Sequence, residues 1–380
     1  MHKPAALAAS AAFALASALL LGACTSPPPS RSGVPPTGTL PTGLPTVAPT
    51  DATGPVKPVG TPKVIATGFD VPWSMLRLST GSTLVSERET ALIKEVRPNG
   101  AVRVVGKVPG VVPNGEGGLL GLATKPGDES WLYVDLSTAR DNRVARFRLE
   151  GTAGTYALGT EQTLLTGLPT AGNHDGGRLK FGPDGDLYIT AGDATDRERA
   201  QDLDYLGGKI LRIHPDGGIP SDNPFPGSPI WSYGHRNPQG IAWDSTGRMW
   251  ASEFGQDTWD ELNIITPGKN YGWPIVEGKS TDSRFVNPVL QWATADASPS
   301  GLLYTHSTLF MAALRGERLW AIYPGASPVA AVPWFTGTYG RLRDVIDGPA
   351  GTIWILTNNT ARGTPKPGDD QILEVQLGPL

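Results

Sequence analysis

Cysteine is almost missing from these 380 residues: Cys24 is the only one. No disulfide framework, cysteine-based metal site or thiol catalysis can therefore be built within one chain. Methionine is scarce, at four. Lys and Arg number 32 against 36 Asp and Glu, a formal net charge of −4, which leaves no basic footprint for nucleic acid. Beyond the N-terminus no second apolar run is long enough to span a bilayer, and helical periodicity is almost absent. What the chain has instead is 48 Gly, 36 Pro and 11 Trp.

The N-terminus opens on Met1, His2 and Lys3, followed by an uncharged apolar run from Ala5 to Leu21. This reads as a secretory signal over residues 1–23. The run is at the short end of the roughly 20 residues a span needs, and it ends in small residues. Leu21-Gly22-Ala23-Cys24 has the form of a lipobox, in which the thiol takes up a diacylglyceryl group. Cys24 is thus the expected lipidation site and membrane anchor, and two acyl chains suffice for stable attachment. The address is the extracytoplasmic face of the cell membrane.

Residues 24–62 are dominated by Pro, Thr, Gly and Ser, with almost no aromatic residues and few charges. Such a stretch cannot bury a core, and its prolines favour extended conformations. It is expected to be a disordered, semi-stiff stalk. Residues 63–380 form the expected globular region.

That region is organised by a repeated phrase, a Gly, Asp or Ser turn followed by a short strand rich in β-branched and aromatic residues. Its six copies are Ser82–Glu87, Trp131–Asp135, Asp186–Thr190, Arg248–Glu253, Arg318–Ile322 and Thr352–Thr357. The fullest turns are Pro183-Asp-Gly185, Asp244-Ser-Thr-Gly247 and Gly348-Pro-Ala-Gly351. The expected fold is all-β, a six-bladed β-propeller of four-stranded antiparallel blades. A large β-sandwich is the competing architecture. In a propeller the loops at one end of the channel carry the chemistry.

Three loops stand out. Asn173-His174-Asp175-Gly176-Gly177 places a histidine beside paired glycines, where backbone can approach a ligand closely. His174 is a candidate general base, or more plainly a loop histidine bonded to a carbonyl. In His235-Arg-Asn-Pro-Gln239, Arg236 offers a planar fork for a carboxylate or an electron-rich carbonyl, with a structural arginine as the plainer reading. The stretch Glu253–Glu261 gathers four carboxylates, an oxygen-rich pattern that suits Ca²⁺ or a solvated acidic loop.

Taken together, these phrases resemble the glucose/sorbosone dehydrogenase family, the soluble quinoprotein sugar dehydrogenases. The resemblance runs from Val71-Pro-Trp73 through Gly115-Glu-Gly-Gly-Leu-Leu-Gly121, the His174 loop, Gly207-Gly-Lys-Ile-Leu-Arg212 and the Arg236 loop. It continues through Asp260-Glu-Leu-Asn263, Asn270-Tyr-Gly-Trp-Pro274, Ser298-Pro-Ser-Gly301 and Gly340-Arg-Leu-Arg-Asp344. Among lipoproteins it is similar to the mycobacterial and actinobacterial cell-envelope members.

The resemblance implies pyrroloquinoline quinone (PQQ) over the channel with Ca²⁺ beside it, and oxidation of a sugar or polyol hydroxyl. By motif, His174 would take the hydroxyl proton, and Arg236 would stabilise charge at the quinone carbonyl. Asn237 would hold the cofactor, with Glu116, Asn173 and Asp260 around it. Arg341 and Arg343 would pair with its carboxylates, Arg315 would add a basic group, and Trp292 with Thr294 would flank the ring. The Gly255 and Gln256 carbonyls match a cofactor calcium, and Glu261 with the Tyr271 carbonyl a separate structural calcium. Electrons would pass to a membrane quinone or another envelope acceptor.

The chain departs from that pattern at Glu116, where a branch of the family has glutamine, and at Ala194, Phe254 and Gln256. These departures motivate an alternative, a non-catalytic cell-envelope propeller that binds glycan or a protein partner. A lactonase-like hydrolase is a third reading, on fold analogy alone.

Overall fold

A computed structural model describes residues 54–380. The expected signal segment, Cys24 and most of the expected stalk lie outside the described residues. Among those described, no helix is long and apolar enough to cross a membrane.

Six four-stranded antiparallel sheets follow one another around a channel, so the propeller expected from the repeats is what the chain forms. The first strand of each blade is innermost, and first strands of neighbouring blades touch at five of the six junctions; between the third and fourth blades Leu187–Ala191 meets Asn237–Trp243 instead. These inner strands are Pro72–Arg77, Leu119–Lys125, Leu179–Phe181, Asn237–Trp243, Pro299–Thr305 and Leu342–Asp347. Each turn that the sequence marked joins a first to a second strand, and Gly185 and Gly247 supply φ of 83° and 82° there.

Five of the six repeated phrases lie on second strands. Blade five differs: Arg318–Ile322 falls on its third strand, and Thr308–Ala313 is the second. His306 and Ser307 turn that hairpin in left-handed conformations, φ 46° and 55°, without the glycine that marks the other turns. The phrase therefore recurred one hairpin later.

The ring closes through Val56–Thr67, the outermost strand of the sixth sheet, which runs antiparallel to Gln371–Pro379 from Val56 opposite Pro379 to Thr67 opposite Gln371. The sheet thus begins at Val56, inside the stretch that composition assigned to the stalk. Pro58 and Pro62 fit because one edge of an outermost strand needs no ladder partner. Val56 is buried and its N–H donates to Thr308 Oγ1 in blade five.

The apolar core is divided among six clusters, and each spans one pair of adjacent blades. Leu84 and Ile93 of blade one meet Leu132 and Val134 of blade two, for example. Each such side chain contributes about 1.5–3 kcal/mol on full burial. The blades are held face to face, and the channel is left to polar groups.

Partway along, the channel is crossed by a buried belt. Arg178 sits 4.3 Å from the Trp73 ring and Arg343 5.7 Å from it, so one indole lies near two guanidiniums. Arg178 donates to Gln239 O (2.8 Å) and to Asp344 Oδ2 (3.1 Å), and Asp344 Oδ2 also accepts from the Met75 N–H. Arg343 donates to Gln239 Oε1 (2.9 Å) and Asn358 Oδ1 (3.2 Å). The belt draws on four blades and divides the channel into two separate cavities.

Candidate active site

The incoming ends of the inner strands, with the loops before them, enclose a cavity of about 370 Å³. Glu116, Asn173, His174, Arg236, Asn237 and Asp260 all line it. So do Thr294, Arg315, Arg341, Arg343 and the Gly255-Gln256 segment. Residues scattered over more than 200 positions of sequence converge because every blade delivers its first strand to the same mouth.

His174 is held from two directions. Its Nδ1 lies 2.7 Å from Asp193 Oδ1, and Asp193, fully buried, also accepts from Trp273 Nε1 at Oδ2 (2.7 Å) and from the Thr195 N–H at Oδ1 (2.8 Å). A carboxylate that accepts from N–H groups at both oxygens is an acceptor toward the imidazole as well. Nδ1 therefore carries the hydrogen and Nε2 is the free basic nitrogen. The His174 backbone is left-handed, φ 62°, a conformation that costs a non-glycine residue about 1–3 kcal/mol. Its N–H donates to Glu116 Oε2 (2.9 Å), and its carbonyl accepts from the Ala194 N–H (3.2 Å). A Cβ at Gly192 would lie 2.0 Å from the His174 carbonyl oxygen, so only glycine fits there.

The next residue fixes the base of the loop. Asp175 Oδ1 accepts from Asn142 Nδ2 (2.9 Å) and Thr170 Oγ1 (2.8 Å). Burial pushes its carboxyl up to about 6, against those hydrogen bonds. Asp135, fully buried, is raised well above the usual range by burial and by the charge of Asp175.

Six arginines line the cavity against two carboxylates: Arg88, Arg236, Arg315, Arg341, Arg343 and Arg362 face Glu116 and Asp260. Burial lowers the pKa of Arg236, Arg341 and Arg343, opposed at Arg236 chiefly by Asp193 and at Arg341 by Glu317. Arginine remains charged throughout the working range. The Nε of each of these three is buried without a protein partner. Orphaned guanidinium nitrogens in a positive cavity call for a polyanion. Glu116 offsets that positive charge only in part, and its Oε2 accepts from His174 N and from Asn237 Nδ2 (3.2 Å), while Asn237 Oδ1 accepts from the Gly176 N–H (3.0 Å).

Arg236 is positioned through Glu253, which accepts from the Arg236 N–H at Oε1 and pairs with His235 Nδ1 at Oε2 (2.8 Å). His235 in turn bonds Ser232 and stacks on Tyr271 at 4.7 Å. The Arg236 guanidinium lies 5.5 Å from the Trp273 ring, the indole that also anchors Asp193. Base and cation thus share one support.

The expected calcium ligands are less convergent. Among the described residues no group of three or more His, Cys, Asp or Glu side chains forms a metal-ligand set. Glu277 Oε1 accepts from the N–H groups of Gln256, Asp257, Thr258 and Trp259. Asp260 accepts from the Gly255 and Ser298 N–H groups, and burial lifts its carboxyl to about 6. Glu261 and Tyr271 line a separate small pocket with Glu253 and Glu277. Burial and Glu253 push the Glu261 carboxyl up to about 7, and its oxygens accept from Asn263 Nδ2 and the Gly278 N–H. With these carboxylates committed to protein donors, a Ca²⁺ would depend on backbone carbonyls.

Trp292 stands apart from the other expected residues. It is not in the cavity wall but packs with Trp320, ring centroids 5.5 Å apart, in the core between blades four and five. Thr294, two residues on, does reach the cavity and accepts from Arg315 Nη1 at 3.5 Å. Reading the sequence assigned no role to Asp193, Trp273 as its donor, or the belt residues Trp73, Gln239 and Arg178. Asp193 follows directly on the strand Leu187–Ala191, at the same mouth as His174. A search for a buried acid at that strand end could have found it.

Comparison with known proteins agrees with this geometry. The profile of the glucose/sorbosone dehydrogenase family matches residues 69–364. The PQQ-bound aldose sugar dehydrogenase of Streptomyces coelicolor is similar at 47% identity and a TM-score of 0.81, over 86% of this chain and 99% of that one. A putative oxidoreductase (glucose dehydrogenase) of Thermus thermophilus is similar at 38% and 0.76, over 83% and 99%. The aldose sugar dehydrogenase of Escherichia coli is 31% identical, over 79% of this chain and 90% of its own length. With the profile spanning most of the propeller, and the site residues gathered at one mouth, this chain belongs to the glucose/sorbosone dehydrogenase family.

Proposed function

We propose that this protein is a PQQ-dependent dehydrogenase that oxidises a hydroxyl of a sugar or polyol, with His174 as general base. The observation that carries the reading is the His174–Asp193 pair opening on an arginine-rich cavity. The three guanidiniums with orphaned Nε atoms suit a planar tricarboxylate. Arg341 and Arg343 would hold its carboxylates, Arg236 and Asn237 its quinone edge. Bound PQQ would supply a two-electron hydride acceptor, which no side chain here can be.

The chain's own groups do the rest. His174 Nε2 takes the hydroxyl proton as hydride leaves the same carbon, and Asp193 stabilises the imidazolium that results. Arg236, desolvated over Trp273, offers positive charge where negative charge develops. Glu116 Oε2 accepts from His174 N and Asn237 Nδ2, so this carboxylate positions the base.

Purified protein given PQQ and Ca²⁺ is expected to reduce an artificial dye in the presence of aldoses. Absence of turnover across a broad aldose panel would overturn the reading. The second reading, a glycan- or protein-binding propeller, is favoured by one observation, the Glu116 carboxylate in the cavity wall. Calorimetric titration with PQQ separates the two, because only the dehydrogenase needs the quinone to bind.

The lipobox ending in Cys24 supports attachment to the extracytoplasmic face of the cell membrane by a diacylglyceryl group. Cys24→Ala is expected to move the protein from the membrane fraction to the soluble one. Unchanged fractionation would rule the anchor out.

A further inference from the structure

Beyond the belt, at the end of the channel away from His174, the inner strands open into a second cavity of about 560 Å³. This is within the roughly 300–1,000 Å³ range of small-molecule sites. Each blade contributes an apolar wall residue: Met75, Leu122, Phe181, Ile241, Leu302 and Val345. The inner end is closed by the buried Arg178–Asp344 pair, so the cavity does not communicate with the one that holds His174.

Its polar groups are unevenly committed. Asp344 is spent: Oδ2 accepts from Met75 N and Arg178 Nη1, and Oδ1 from the Val345 N–H. Arg178 is not, for although its Nε and Nη1 are bonded, its Nη2 is buried without a protein partner. Lys180 lies two residues further along the same extended segment, hence on the same face. It makes no hydrogen bond or close ion pair among the described residues. Burial lowers its pKa, and Asp347 and Asp344 oppose that. Two cationic donors on one face thus look into a cup whose lining mixes these apolar residues with Ser74, Arg77, Thr124 and the carboxylates of Asp344 and Asp347.

We propose that this cavity is a second ligand site, for a small amphiphilic monocarboxylate held at its head by Lys180 and Arg178. The apolar residue from each of the six blades would face a sugar's hydroxyls over much of the wall and leave them without partners there. Asp344 and Asp347, both in the lining, disfavour a dianion. One negative charge on a hydrocarbon body satisfies both donors and walls. The proposal is independent of the dehydrogenase reading, because the belt separates the two cavities.

Octanoate is the probe, titrated calorimetrically into the full chain, with octanol as its neutral counterpart. Saturable binding of one octanoate per chain is expected, about tenfold or more tighter than octanol. Lys180→Met should weaken it by about tenfold, Lys180→Arg should restore most of the affinity, and His174→Ala should leave it unchanged. Octanol binding as well as octanoate would overturn the proposal, as would Lys180→Met with undiminished affinity or no saturable binding at millimolar octanoate. Should Lys180→Met fail to fold, the octanoate–octanol comparison and Lys180→Arg still decide.

Discussion

His174→Ala is expected to lower kcat for PQQ-dependent aldose oxidation by about 10²–10⁴-fold, the usual worth of a positioned general base. Affinity for PQQ should change much less, because the arginines that would hold the cofactor's carboxylates are untouched. Asp193→Asn separates base strength from base presence. With its oxygen at the Oδ1 position the amide still accepts from His174 Nδ1–H and the Thr195 N–H, but its NH2 then faces Trp273 Nε1, which already donates to the Oδ2 position. One contact becomes donor against donor. Asp193→Asn should therefore cut kcat and shift the acidic limb of the pH–rate profile, with KM little changed. Wild-type kcat and pH profile in Asp193→Asn would show that the pair is not catalytic.

Asp344→Ala is expected to be the most destabilising single change in the channel. It removes the partner of a buried guanidinium and the acceptor for the Met75 N–H together. Breaking a buried pair from one side costs about 3–5 kcal/mol, because the remaining charge stays desolvated. Arg178 cannot easily turn to water, since Trp73 lies 4.3 Å from it and Gln239 O holds its Nε. Urea denaturation should show a large fall in midpoint with the slope unchanged. Replacing both partners, as Arg178→Leu with Asp344→Ala, should cost clearly less than the two single changes summed. A fall in midpoint of under a quarter of wild type for Asp344→Ala would show that the belt is not a structural keystone.

The propeller was legible because its repeat is local: a turn glycine and a β-branched strand signal the same hairpin in each blade. His174, Arg236 and Arg341 were legible because they stand in loops of distinctive composition, and Asn237 and Arg343 because they follow at the start of the next strands. The closing strand was not, since an outermost strand with one bare edge tolerates Pro58 and Pro62 and so reads like a tether. Nor was the core position of Trp292, because the strand Leu290–Ala293 is short and the loop before it irregular, leaving no alternation to tell core from cavity. Asp193 and the belt depend on partners in other blades, a kind of information that no local pattern carries.

The closing strand also sets an order of events. Val56–Thr67 is the first strand of the ring to be made, yet its ladder partner, Gln371–Pro379, is the last. Until both exist, the sixth sheet has no outer edge and the Val56 N–H has no stable seat on Thr308. Contacts of such sequence separation form slowly, because a long loop must close before they add stability. The ring therefore latches only after Gln371–Pro379 has been made. A chain held open until then remains threadable, with its earliest strand still free to lead through a narrow passage.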